Sequence, residues 1–288
     1  MKSLSHNNTT KSILWMHEKF LYPVVRVFGQ RAAGSGTVIH SREGVSREGE
    51  FETFVLTNHH VIEDCISHKK DWDSILKRNV EKEFLEKAHV ETFSYVNMST
   101  VDSSNRYKAD IVAYDKSHDL ALLKVDSPLE FKYVAKIIPR KEIDDIKLFM
   151  EVVACGCSLG HEPLCNHGHV TFLKEIIDKK KYIISSAGVY FGNSGGALYL
   201  AETGDLIGVP SRVAAVQLGF GVDVISWVAF SAHPERIYEF LDEQEMKFIY
   251  ERGDTFAKAL TRRQQKEKDA ILALKAEIAR QSEEESDF

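Results

Sequence analysis

The stretch Gly192-Asn193-Ser194-Gly195-Gly196-Ala197-Leu198 constrains this chain more than any other. Glycines on both sides of a serine permit a tight, exposed turn with φ > 0. Such a turn gathers several backbone N–H groups into one concavity. A hydroxyl nucleophile needs that concavity, because the tetrahedral intermediate of acyl transfer carries negative charge on the former carbonyl oxygen. A serine is also a weak nucleophile until a base takes its proton. The motif therefore predicts a histidine and an orienting carboxylate elsewhere, and both have candidates. Phe54-Val55-Leu56-Thr57-Asn58-His59-His60-Val61-Ile62 is an apolar strand running into histidines. Asp119-Leu120-Ala121-Leu122-Leu123-Lys124-Val125 is an acidic residue opening a run of β-formers.

The chain order histidine, aspartate, serine goes with the two-barrel arrangement and not with the subtilisin or α/β-hydrolase orders. Three more segments extend the match: Gly34-Ser35-Gly36-Thr37-Val38-Ile39, Val152-Val153-Ala154-Cys155-Gly156-Cys157-Ser158-Leu159-Gly160, and Gly204-Asp205-Leu206-Ile207-Gly208-Val209. On these residues the sequence resembles the trypsin-like serine peptidases, with motif wording similar to the HtrA/Deg branch. The resemblance covers about residues 23 to 241. It implies an all-β fold of two packed six-stranded antiparallel β-barrels of chymotrypsin type, with the active site in the cleft between them. The expected layout is an N-terminal segment over 1–22, a first barrel over 23–128, a second over 129–241 and a helical, charged tail over 242–288.

The same resemblance implies roles. His60, directly before Val61-Ile62, takes the position of the general base, and His59 reads as a structural neighbour. Asp119 takes the orienting position, whereas Asp110 and Asp115 read as surface turn residues. Ser194 is the expected nucleophile, and the backbone N–H groups of Gly192 and Ser194 the expected oxyanion hole. Asn193 stands where secreted digestive relatives carry an aspartate that pairs with a newly cut N-terminus, so activation by N-terminal clipping is not expected. The primary pocket falls to Gly188, Ser211 and Ala229 and their neighbours. No carboxylate lies among these, which favours apolar over basic substrate side chains. The expected function is a serine endopeptidase acting on protein or peptide substrates through an acyl-enzyme, with no cofactor. Competing readings are a silent peptide-binding pseudoprotease, an esterase, and a virion or maturation protease that cuts itself or one partner.

Composition agrees with a soluble globular chain: 43% of its 288 residues are apolar and 28% charged. A formal net charge of −6 gives no argument for nucleic acid. No apolar run approaches the ~20 residues of a membrane span, and Met1 to Asn8 lacks an apolar signal core. The expectation is a cytoplasmic protein without membrane partners. The four cysteines lack the spacing of a secreted disulfide framework. Cys155, Cys157, His161 and Cys165 do offer thiolates and an imidazole for a structural zinc site, set against the simpler reading of reduced thiols beside a polar loop. Two segments depart from the family. Residues 67–89 have a helical look in Trp72, Ile75, Leu76, Val80, Phe84 and Leu85. Thr255 to Arg280 carries Ile271, Leu274 and Ile278 as a helical stripe, suited to self-association or partner docking as much as to folding back on its own barrel. No peptide-binding domain of the HtrA kind fits in the remaining residues, so oligomer control by one is not carried over.

Overall fold

Short runs of β-formers separated by turns fill most of the chain, and in a computed structural model they close into two rings. The structure describes residues 13–44, 49–73, 78–219 and 221–286. The first ring holds β1 (Val24–Phe28), β2 (Ala33–Glu43), β3 (Phe51–Thr57), β6 (Ala88–Val96), β7 (Thr100–Asp115) and β8 (Leu120–Val125), in the spatial order β1-β2-β3-β8-β7-β6. The second holds β9 (Glu151–Gly156), β10 (Leu164–Ile177), β11 (Lys180–Ser185), β12 (Ala197–Leu200), β13 (Leu206–Leu218) and β14 (Gly221–Ala232), in the order β10-β11-β14-β13-β12-β9. Neighbours are antiparallel throughout both rings. Closure leaves neither sheet with an open edge. The all-β two-barrel expectation therefore holds.

The core of the first barrel is aliphatic, with Val27, Val55, Ile62, Val90 and Leu123 fully buried. In β8 the four residues Leu120 to Leu123 are buried in succession, so both faces of that strand are covered. The connector between the barrels bonds to a strand of each: the Ala135 N–H donates to the Val38 carbonyl (2.8 Å), and the Leu206 N–H to the Lys136 carbonyl (2.7 Å).

The helical expectation for residues 67–89 is wrong. A short helix α1 (His59–Ile62) is followed by a two-stranded hairpin of β4 (Ile66–Asp73) and β5 (Arg78–Leu85). The chain reverses between these strands, so Trp72 pairs with Asn79 and Phe84 with Ser67 instead of sharing a helix face. Lysine and acid side chains pair across the hairpin, as Lys82 does with Asp71 (2.6 Å), and Lys69 lies over the Phe84 ring. Trp72, Phe84 and Leu85 stay exposed. Ile75 and Leu76 lie outside the described residues.

Helix α2 (Pro234–Glu243) follows the second barrel, and α3 (Phe256–Ser286) forms the expected C-terminal helix. Within the C-terminal unit the start of α3 is anchored by Arg262, which pairs with Asp254 (2.7 Å) and donates to the Glu245 carbonyl (2.9 Å). Phe256 packs on Phe248. Ile271 and Leu272 are exposed, and the side chains of Leu274 and Ile278 lie outside those described. No helix among the described residues is long and apolar enough to cross a membrane.

Candidate active site

Strand β3 ends at Thr57 and α1 starts two residues later, which sends the adjacent histidines in different directions. His59 is buried beside the Tyr114 ring, and burial pushes its pKa down. His60 is partly exposed and meets Asp119: Nδ1 lies 3.0 Å from each carboxylate oxygen, and the His60 backbone N–H donates to Oδ1 (3.1 Å). Asp119 sits in the left-handed region at φ 53°, which a short polar side chain tolerates and a β-branched one does not. Asn58 Nδ2 holds the Asp119 carbonyl (2.8 Å), and the Ser211 hydroxyl donates to Asp119 Oδ2 (2.8 Å). Burial acts to raise the Asp119 pKa, and the hydrogen bonds from His60 and Ser211 outweigh it, leaving the carboxyl below its ordinary value. Asp115 caps a turn through Ser117 and the His118 N–H, and Asp110 pairs with Lys87 at the surface.

The serine turn needs its glycines. Gly192 (φ 97°) and Gly195 (φ 86°) both lie where L side chains are strained. A Cβ on Gly192 would stand 2.5 Å from the Cys157 carbonyl oxygen, and one on Gly195 2.2 Å from that of Ser35. Among the described residues, the N–H groups of Gly192 and Ser194 have no hydrogen-bond partner, whereas those of Asn193, Gly195 and Gly196 donate to carbonyls. The first barrel braces this turn through Ser35. Its N–H donates to the Ser194 carbonyl (2.7 Å), its hydroxyl donates to the Gly192 carbonyl (2.6 Å), and that same oxygen accepts from the Cys157 N–H (2.7 Å). Asn193 is buried, and its Oδ1 accepts the Ser158 hydroxyl (2.5 Å).

His60 and Ser194 line one cleft of about 430 Å³ together with Ser211 and the apolar side chains of Val189, Phe191, Val213, Val222 and Val224. Among the described residues no aspartate or glutamate lines it, and Arg212 is its one charged lining residue apart from His60. A family model described as a trypsin-like peptidase domain matches residues 34–209, which span His60, Asp119 and Ser194. The chain belongs to the trypsin-like peptidase family. It is 25% identical over 211 residues to Protease Do-like 8, chloroplastic, of Arabidopsis thaliana, covering 69% of this chain and 42% of that protein. The chain thus spans about two fifths of that relative's length. A solved serine endoprotease from Yersinia pestis shares the fold, with a TM-score of 0.52 and 19% identity over 84% of this chain and 67% of the other.

Against this family background the remaining site candidates separate. Ser211 lines the cleft, but Gly188 and Ala229 do not. The Gly188 carbonyl is taken by Asn166 Nδ2 (2.8 Å), and Ala229 is fully buried in β14 opposite Val213. Part of the apolar wall, Val222 and Val224, comes from farther out on the long β13–β14 hairpin, beyond the register shift between Val213 and Ala214. The zinc candidates do not converge either. No three of their ligand atoms lie within 4.8 Å of one another among the described residues. The β9–β10 register sets Cys165 opposite Cys155, while Cys157 lies past the end of β9 and faces Arg26 and Ser35. The two paired sulfurs are 3.0 Å apart, closer than the ~3.8 Å expected of two thiolates on one tetrahedral zinc.

Two supporting residues have no role in the sequence reading. Ser35 is one, although it lies inside the Gly34-to-Ile39 segment of the family resemblance. Arg236 is the other. It is almost fully buried, donates to the carbonyls of Lys181 (3.0 Å) and His118, and lies over the Tyr182 ring. It thereby ties α2 and β11 to the residue just before Asp119.

Proposed function

We propose that this chain is a serine endopeptidase in which Ser194 attacks the peptide carbonyl, His60 takes and returns the proton, and Asp119 fixes the imidazole. The observation that carries this reading is the His60 ring held by the Asp119 carboxylate at the mouth of a cleft shared with Ser194. With Nδ1 hydrogen-bonded to the carboxylate, Nε2 is the nitrogen left to serve the serine. The free N–H groups of Gly192 and Ser194 suit an oxyanion, and losing one such donor costs about 2.7–4 kcal/mol in other acyl-transfer enzymes. Ester or amide attack then gives an acyl-Ser194, which water hydrolyses with the same base. The valine-rich, carboxylate-free cleft supports cleavage after apolar side chains. Asn193 supports competence without an N-terminal ion pair, because its place is filled by a neutral hydrogen bond from Ser158.

Covalent labelling with a fluorophosphonate tests nucleophile, base and oxyanion hole together. The wild-type chain labels and digests unfolded casein, and Ser194→Ala does neither; equal labelling of the two would end the assignment. A peptide-library profile checks specificity, with apolar residues expected before the cut and a dominance of Lys or Arg counting against it. The exposed Ile271 and Leu272 support a further role for α3 in self-association or partner docking.

A further inference from the structure

Cys155 and Cys165 stand directly opposite each other on antiparallel β9 and β10, with their sulfurs 3.0 Å apart. Cross-strand partners have Cα atoms about 4.5–5.5 Å apart, within the ~4.4–6.8 Å that a disulfide spans. The two thiols differ in access: Cys165 is exposed and Cys155 is fully buried. Cys65 and Cys157 are buried too, and burial pushes their thiols up to about 11 and about 12; it pushes the Cys155 thiol well up as well, so the exposed Cys165 is placed to react first and Cys155 follows only because the Cys165 sulfur lies 3.0 Å away.

We propose that Cys155 and Cys165 are a reversible redox pair that closes to a cross-strand disulfide when a small disulfide such as oxidised glutathione is present. The Cys165 thiolate attacks one glutathione sulfur, forming a mixed disulfide and releasing one glutathione thiolate. Cys155 then gives up its proton and attacks the Cys165 sulfur, which expels the second glutathione. Two protein thiols are oxidised to one disulfide, and one glutathione disulfide is reduced to two thiols. The location gives the bond a consequence. On its other side Cys155 pairs with Ala197, and its carbonyl oxygen lies 2.4 Å from where a Cβ on Gly196 would stand. The bond therefore braces the strand that backs the Ser194 turn.

The test needs no assumption about catalysis. The folded full-length chain is incubated with oxidised glutathione, freed of small thiols, denatured, alkylated with iodoacetamide and weighed. Two alkyl groups, on Cys65 and Cys157, are expected, with a non-reducing peptide map linking Cys155 to Cys165 and dithiothreitol restoring all four thiols. Cys165→Ser, changed at an exposed position, should show no linkage and three alkylated cysteines. The oxidised wild type should melt about 5 °C or more above the reduced form, as expected for a loop closed in the unfolded chain. Four alkylated cysteines, a glutathione adduct that persists on Cys165, or a bond between any other pair would overturn the proposal. Equal melting points of the linked and reduced forms would overturn the brace.

Discussion

Asp119 concentrates several demands on one residue: a left-handed backbone, a hydrogen bond to each oxygen and a carbonyl fixed by Asn58. Ser211 is the donor that can be removed with least disturbance. Ser211→Ala should lower kcat/KM about tenfold, the scale of one hydrogen bond to a charged group, with KM for a short ester substrate nearly unchanged; steady-state kinetics checks this. Asn193 allows a sharper test. In Asn193→Asp a buried carboxylate faces the Ser158 hydroxyl, and burial raises a carboxyl pKa. Its folded-state pKa would then exceed the unfolded value, so the loss, at least about 2 kcal/mol, is present at neutral pH. It shrinks as pH falls and the carboxyl protonates. Denaturant melts at pH 7.5 and pH 5 measure both, and a larger loss at pH 5 would contradict the argument.

At the scale of elements, buried histidines set a pH response, with His59 among them. Burial pushes both His40 and His233 down to about 4, from an ordinary value of 6.5. His233 Nδ1 accepts the Glu235 N–H (3.2 Å) at the start of α2, a bond that requires an unprotonated nitrogen. Between pH 6.5 and about 4 the unfolded chain binds protons that the fold refuses, so stability is full above this window and falls on acidification through it. Thermal midpoints should drop between pH 7 and pH 4.5. In His233→Asn, which keeps a neutral capping acceptor, the drop should be smaller. The β4–β5 hairpin gives the opposite kind of prediction. Its Trp72 and Phe84 are exposed and the partly buried Ile66 is kept, so replacing residues 67–84 by a short glycine turn should cost less than about 1 kcal/mol and leave fluorophosphonate labelling intact. Legibility differs for the same local reasons. The serine turn is readable because Gly192 and Gly195 take a positive φ, a local demand that shows in the motif itself. The hairpin is misread because Trp72, Leu76, Val80 and Phe84 repeat every four residues, a spacing that fits a helix as well as two facing strands. The pocket wall at Val222 and Val224 is hidden because the length of a hairpin, not a motif, carries it there. The roles of Ser35 and Arg236 escape sequence reading because the partners they reach across the barrels, Gly192 and His118, lie 157 and 118 residues away.

Across the whole molecule, the site belongs to neither barrel alone. The first barrel carries His60 and Asp119 and the second carries Ser194, and Ser35 and Arg236 fasten one to the other. Ser35→Ala removes a hydroxyl that donates to the Gly192 carbonyl and accepts from the Cys157 N–H, leaving one buried and one partly buried backbone group short of a partner. A loss of about 2–3 kcal/mol is expected, with labelling slowed more than the melting point alone would suggest. The Ser35 to Gly192 bond spans 157 residues. Contacts of such separation form late, because the loop they close must be ordered first. A newly made chain can thus hold a finished second barrel, serine included, while the turn still lacks the brace that shapes it. In refolding from denaturant, fluorophosphonate reactivity should trail the recovery of β-sheet circular dichroism. Under the proposed function, the Ser35 brace would tie the reactivity of Ser194 to the docking of the two barrels rather than to the folding of either one.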